Sequence, residues 1–163
     1  YGRELFYHKQ YEYAILILKK FLEEPDGWIE DKLNSCLVLS CCYQEMGENA
    51  AAFDILFYSF TMDVPRAEIC CEIGRLFMEK REYVTAAYWY QQALLAPRKK
   101  KNGGFYIADS HDFIPAIQMC VCLDKAGRHR EAFEFHKKAR VLKPLHQAVI
   151  GNEKYFRDVW GME

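Results

Sequence analysis

Proline and glycine are scarce in this sequence, five and nine among 163 residues. That leaves no room for a low-complexity linker or a fold built mainly of loops. Long apolar runs are missing too. Stretches such as "AILIL" (14–18) and "CLVL" (36–39) fall far short of the roughly 20 residues that cross a bilayer. No charged-then-apolar leader opens the chain, so a soluble protein without membrane partners is expected. Net charge is nearly absent, with 22 basic against 23 acidic residues, which removes any broad pull toward nucleic acid. Seven cysteines are an odd number, without a Cys-x-x-Cys, in a chain larger than the usual disulfide scaffold. This points to a reducing, cytoplasmic setting.

What is present is apolar surface: 51% of residues are hydrophobic and 15% aromatic. A chain of this length can bury it in a full-sized core. The apolar positions recur at helical spacing, and no alternating-strand pattern accompanies them.

The chain repeats itself, and the alignment hangs on four alanines: Ala14, Ala52, Ala86 and Ala132. Four residues after each stands a large side chain, Leu18, Leu56, Tyr90 and His136. Twelve before each stands a small one, Gly2, Ser40, Gly74 and Cys120, and nine before a large one, Leu5, Tyr43, Phe77 and Leu123. Small residues let two helices approach, and large ones fill the space between layers. "CEIGRLFMEKREYVTAAYWYQQALLAP" and "CVCLDKAGRHREAFEFHKKARVLKP" resemble the tetratricopeptide repeat over nearly the whole chain. The resemblance implies an all-α, right-handed α-solenoid of about four helix hairpins, a single domain over 1–163.

The alanines are 38, 34 and 46 positions apart, so two insertions interrupt the period. The expected parts are a truncated first repeat (1–25), second (33–64) and third (67–97) repeats, an insertion (98–112), a fourth repeat (113–144) and a capping helix (145–163). Leading helices are expected near 1–8, 30–46, 67–80 and 112–126, and returning helices near 11–22, 50–60, 83–96 and 129–143. The absent initiator methionine and the short first helix lead to the expectation of a piece of a longer protein.

No residue is assigned a catalytic or metal-binding role, and no cofactor is expected. Adjacent helical cysteines diverge by about 100° and a Cys-x-Cys pair by about 200°, so neither chelates one ion. "DSHD" (109–112) holds triad residue types, but triads are assembled from separate elements; Asp109, Ser110 or Asp112 is instead expected to start the next helix. The basic run from Arg98 to Lys101 complements the end of the preceding helix. Phe105, Tyr106 and Ile107 after it are expected to tuck back onto the repeats, or, if exposed, to dock a partner.

Leading helices of this repeat family line a concave peptide-binding groove. The groove-facing positions are Arg3 and Phe6 in the first copy, then Asn34, Leu37, Cys41 and Gln44 in the second. The third offers Glu68, Cys71, Arg75 and Met78, and the fourth Ile114, Ile117, Val121 and Asp124. Chaperone-binding members hold a terminal carboxylate there with lysine and asparagine. Leu37, Cys41, Cys71, Ile117 and Val121 stand instead, which argues against that ligand and for an apolar helix or segment.

"EEPDGWIEDKLNSCLVLSCCYQEMG" and the "NGGF" of the insertion further resemble the C-terminal repeat region of bacterial family-2 glycosyltransferases. That resemblance implies a non-catalytic interaction module serving dimerisation or acceptor-peptide docking. Its partners would be its own catalytic domain, a second subunit or an acceptor peptide. The other reading is a free-standing adaptor unrelated to an enzyme, with an RNA-binding helical repeat behind both.

Overall fold

Among the described residues the chain forms nine α-helices and no strand. The computed structural model describes residues 2–98 and 106–163. They form four helix hairpins and one terminal helix: α1 (Gly2–Tyr7) with α2 (Tyr11–Glu23), α3 (Ile29–Glu45) with α4 (Asn49–Tyr58), α5 (Ala67–Glu79) with α6 (Tyr83–Leu95), α7 (Phe113–Lys125) with α8 (His129–Leu142), and α9 (Gln147–Trp160). Short 3-10 turns, Ser59–Thr61 and Ala108–His111, follow α4 and precede α7. Contacts divide the chain into two compact units. The first holds the hairpins up to Pro65, the second Arg66–Arg98 with Ile107–Glu163.

Each hairpin turns in the same way. The residue five before the register alanine has a left-handed backbone: Lys9, Gly47, Arg81 and Gly127, with φ between 57° and 78°. Its N–H donates to the carbonyl three residues back, and the next N–H donates to the carbonyl five back, Gln10 to Leu5, Glu48 to Tyr43, Glu82 to Phe77 and Arg128 to Leu123, at 2.8–3.0 Å. This pair of hydrogen bonds satisfies the last carbonyls of each leading helix. The same turn residue's successor then accepts from the register alanine, for example Ala86 N–H to Glu82 O at 2.9 Å, so one helix ends and the next begins without spare backbone.

Four of the five prolines mark the other ends. Pro25, Pro65, Pro97 and Pro144 each follow a returning helix or its 3-10 extension, where a missing N–H and a fixed φ stop propagation. Pro115 sits in the first turn of α7, where no intrahelical donor is required. Asp112 caps that helix, accepting from Phe113 N–H at 2.6 Å.

The register residues make the core. Ala14, Ala52, Ala86 and Ala132 are fully buried. In the first unit a Cβ on Gly2 would meet Leu18 at 2.4 Å; in the second, a Cβ on Gly74 would lie 2.9 Å from the Tyr90 ring. The small residue of the leading helix is therefore small because the large residue of the returning helix lies against it. The second unit is closed by α9, whose Phe156 packs against Phe133 and His136 with ring centroids 5.3 and 5.7 Å away.

Candidate functional site

In the first unit the leading-helix face is partly open. Arg3 from α1 and Asn34 from α3 line one cleft of about 310 Å³. Its floor is Ile17, Leu18, Phe21 and Val38, and Asp31 and Ser35 complete the polar edge. Further along, Phe6 packs against the rings of Tyr7 and Tyr11 at 5.8 and 5.7 Å, at the foot of the hairpin. Leu37 and Cys41 are half-buried on α3. Gln44 is tied to its own helix, donating to Ser40 O at 3.2 Å and to Ser40 Oγ at 3.1 Å.

In the second unit the corresponding face is largely taken up by the chain itself. Glu68 and Cys71 do not line an open groove, as sequence spacing implied; they are 5% and 8% exposed. The segment before α7 lies on them. Ile107 N–H donates to Glu68 Oε1 at 2.7 Å, His111 Nε2 stands 3.6 Å from the same oxygen, and the Cys71 thiol donates to Ser110 O at 3.5 Å. Arg75 is held by carboxylates of its own helix, Glu72 and Glu79. Met78 Sδ accepts from the Cys122 thiol of α7 at 3.0 Å.

On α7, Ile114 is half-buried and Ile117 is buried with Phe113, Ala116, Ala139 and Val149. Val121 and Asp124 border a cleft of about 210 Å³ between α7 and α9, with Asn152 and Tyr155 opposite. Asp124 is committed to this corner. Its Oδ1 lies 2.7 Å from His129 Nδ1 and its Oδ2 accepts from Tyr155 OH at 3.0 Å. Tyr155 OH in turn accepts from Trp160 Nε1 at 3.2 Å, and the Trp160 ring stacks on His129 at 3.8 Å. The terminal helix thus occupies part of the surface that spacing assigned to a ligand.

The insertion differs from expectation in what it buries. Tyr106 and Ile107 are 44% and 47% exposed, while Ser110 and His111 are 3% and 5% exposed. The polar residues go inside because Glu68 and Cys71 offer them partners, and the apolar ones stay out. Phe105 and Lys99–Lys101 lie outside the described residues. Arg98 donates to His111 O at 3.3 Å and pairs with Asp112 at 3.1 Å; Lys143, just after α8, pairs with Asp109. By sequence alone, "DSHD" reads only as a helix start. No sequence signal marks His111 as the partner of a residue 43 positions earlier, because the pairing depends on the loop's path.

Among the described residues no three His, Cys, Asp or Glu side chains come together as a metal site. Burial pushes the thiols of Cys36, Cys70, Cys120 and Cys122 up to about 12 and that of Cys42 up to about 11. Burial raises Cys71 as well. At neutral pH these are protonated packing residues rather than nucleophiles. Among the described residues no helix is long and apolar enough to cross a membrane.

No protein-family model and no curated protein matches this sequence. Solved structures do match. MamA AMB-1 superposes with a TM-score of 0.68 at 18% identity, over 98% of this chain and 79% of that one. Another MamA crystal structure gives 0.67 at 22% identity, over 96% and 86%. Pseudomonas aeruginosa pilF gives 0.64 at 19% identity, over 95% and 64%. These are tetratricopeptide-repeat proteins. The likeness establishes the fold, a tetratricopeptide α-solenoid, and nothing in it ties the chain to a glycosyltransferase.

Proposed function

We propose that this chain is a non-catalytic adaptor or scaffold that binds a protein or peptide segment, unrelated to a glycosyltransferase. The fold supports the class, since hairpin repeats expose helix faces rather than converging catalytic groups. The observation that carries the reading is the cleft between α1, α2 and α3. Ile17, Leu18, Phe21 and Val38 make an apolar floor, and Arg3, Asp31 and Asn34 a polar edge. An apolar pocket with a few polar groups at its margin suits an apolar side chain flanked by peptide bonds. The likeness to solved repeat proteins favours the adaptor reading at least as well as a catalytic-domain appendage, whose partners would be a second subunit or an acceptor peptide.

The test is selection of binders from a displayed random-peptide library. Asn34→Glu should weaken the selected peptides at least tenfold. Leu16→Glu, on the exposed outer surface of α2, should leave them unchanged, with both variants retaining the wild-type circular dichroism. Equal losses in the two variants, or a library that yields no binder, would refute this reading.

A further inference from the structure

We propose that Ile107–Asp112 is a displaceable strap, an internal occupant of the third repeat's ligand face that an incoming peptide must replace to reach Glu68 and Cys71. The proposal rests on the groove reading given above, but it arises from a different part of the chain.

Three observations carry it. The first is where the segment lies: beside its packing on α6, it meets Glu68 and Cys71, one helical turn apart on the leading-helix face of α5. The second is how it is held. Glu68 Oε1 receives the Ile107 backbone N–H at 2.7 Å and faces His111 Nε2 at 3.6 Å, while Ser110 contributes its backbone carbonyl to Cys71. Backbone amides and carbonyls meeting side chains on a helix face are how a bound peptide is gripped. The third is what the segment leaves outside. Ile107, its one large apolar side chain, is 47% exposed. A segment that belonged to the core would bury it first. Further tethers are two partly exposed ion pairs, Arg98 with Asp112 and Lys143 with Asp109, and the Arg98 hydrogen bond to His111 O; exposed pairs contribute little.

The arrangement also states what can take the strap's place. Glu68 is buried, and a buried carboxylate deprived of its donors is strongly unfavourable. The replacing segment must therefore present a backbone N–H or a basic side chain to Glu68, as Ile107 and His111 do.

Cys71 is a reporter that needs no partner. Its thiol lies beneath the strap, whereas Cys70, the next residue, is fully buried within the helix packing. In the wild-type protein under native conditions, a small thiol reagent read by peptide mass mapping should label Cys71 faster than Cys70, through local opening. Removing these tethers with Arg98→Ala and Lys143→Ala should speed Cys71 labelling about fivefold, the combined effect of two exposed pairs. Cys70, Cys120 and Cys122 should keep their rates. Labelling of Cys71 in step with Cys70 in the wild type would mean the strap leaves only when the unit unfolds, and would overturn the proposal. So would an unchanged Cys71 rate in the double variant, or an equal rise at all four thiols. Because no peptide enters this experiment, failure here leaves the first-unit cleft reading standing, and a failed peptide selection would remove the incoming ligand but not the local opening that Cys71 labelling detects.

Discussion

Glycine has two opposite roles in this chain, and one substitution separates them. Gly127 has φ +78° at a hairpin turn, and a Cβ there would meet nothing within 4 Å. Gly127→Ala therefore carries only the backbone cost of the left-handed conformation, and we expect a loss of about 1 kcal/mol. Gly151 lies inside α9 and also has open space around it. Gly151→Ala should raise stability by about 0.8–1 kcal/mol through helix propensity alone. Denaturant unfolding of the two variants checks both signs. Lys9 and Arg81 show that the turn tolerates a side chain in this conformation. Their alignment with Gly47 and Gly127, each five before a register alanine, was visible in the sequence but meaningful only once the backbone was known.

At the scale of the helix pair, closeness of approach is set by small residues facing large ones. Ala86 is fully buried between α5 and α6, in the cluster that includes Cys70, Cys71, Tyr90 and Cys120. Ala86→Leu should force these helices apart and lower the stability of the second unit by about 1–3 kcal/mol. An unchanged melting temperature would mean that the alanine does not sit where the repeat places it. The helix boundaries expected from spacing agree with the observed ones to within about two residues, the usual scatter at helix ends. The agreement is close because local size pattern and turn chemistry decide them together.

For the whole molecule, acid stability should carry the mark of one buried imidazole. His136 is fully buried among Phe133 and Phe156, and neither ring nitrogen has a hydrogen-bond partner among the described residues. Burial lowers its pKa; Glu153 of α9 opposes the shift and Arg140 adds to it. The unfolded chain takes up the proton near pH 6.5 and the folded chain resists it. Stability is thus unaffected well above about pH 6.5 and falls as pH drops below it. His136→Phe should remove that part of the pH dependence. It should also add about 1 kcal/mol at pH 7, since it deletes two buried unsatisfied nitrogens. Thermal melts of both proteins from pH 8 to pH 5 give the comparison.

The repeat, its register, its hairpins and its terminal helix were legible in the sequence, because each rests on residue size and spacing over a few turns. Of the cleft's lining, helical periodicity marked Arg3 and Asn34 as candidate site residues, but not Ile17, Phe21, Asp31 or Val38. What only the tertiary structure decided was how much of that face remains available. Periodicity put Glu68 and Cys71 in the same class as Asn34 and Leu37. Ile107, Ser110 and His111, just before α7, cover the first two, while Asn34 and Leu37 are half-buried. Tyr106 and Ile107 were expected at least partly buried or else open for docking; both are close to half exposed, while Ser110 and His111 go further in. A buried carboxylate and a thiol favour polar partners, and which loop reaches them is a matter of chain path that no local pattern encodes.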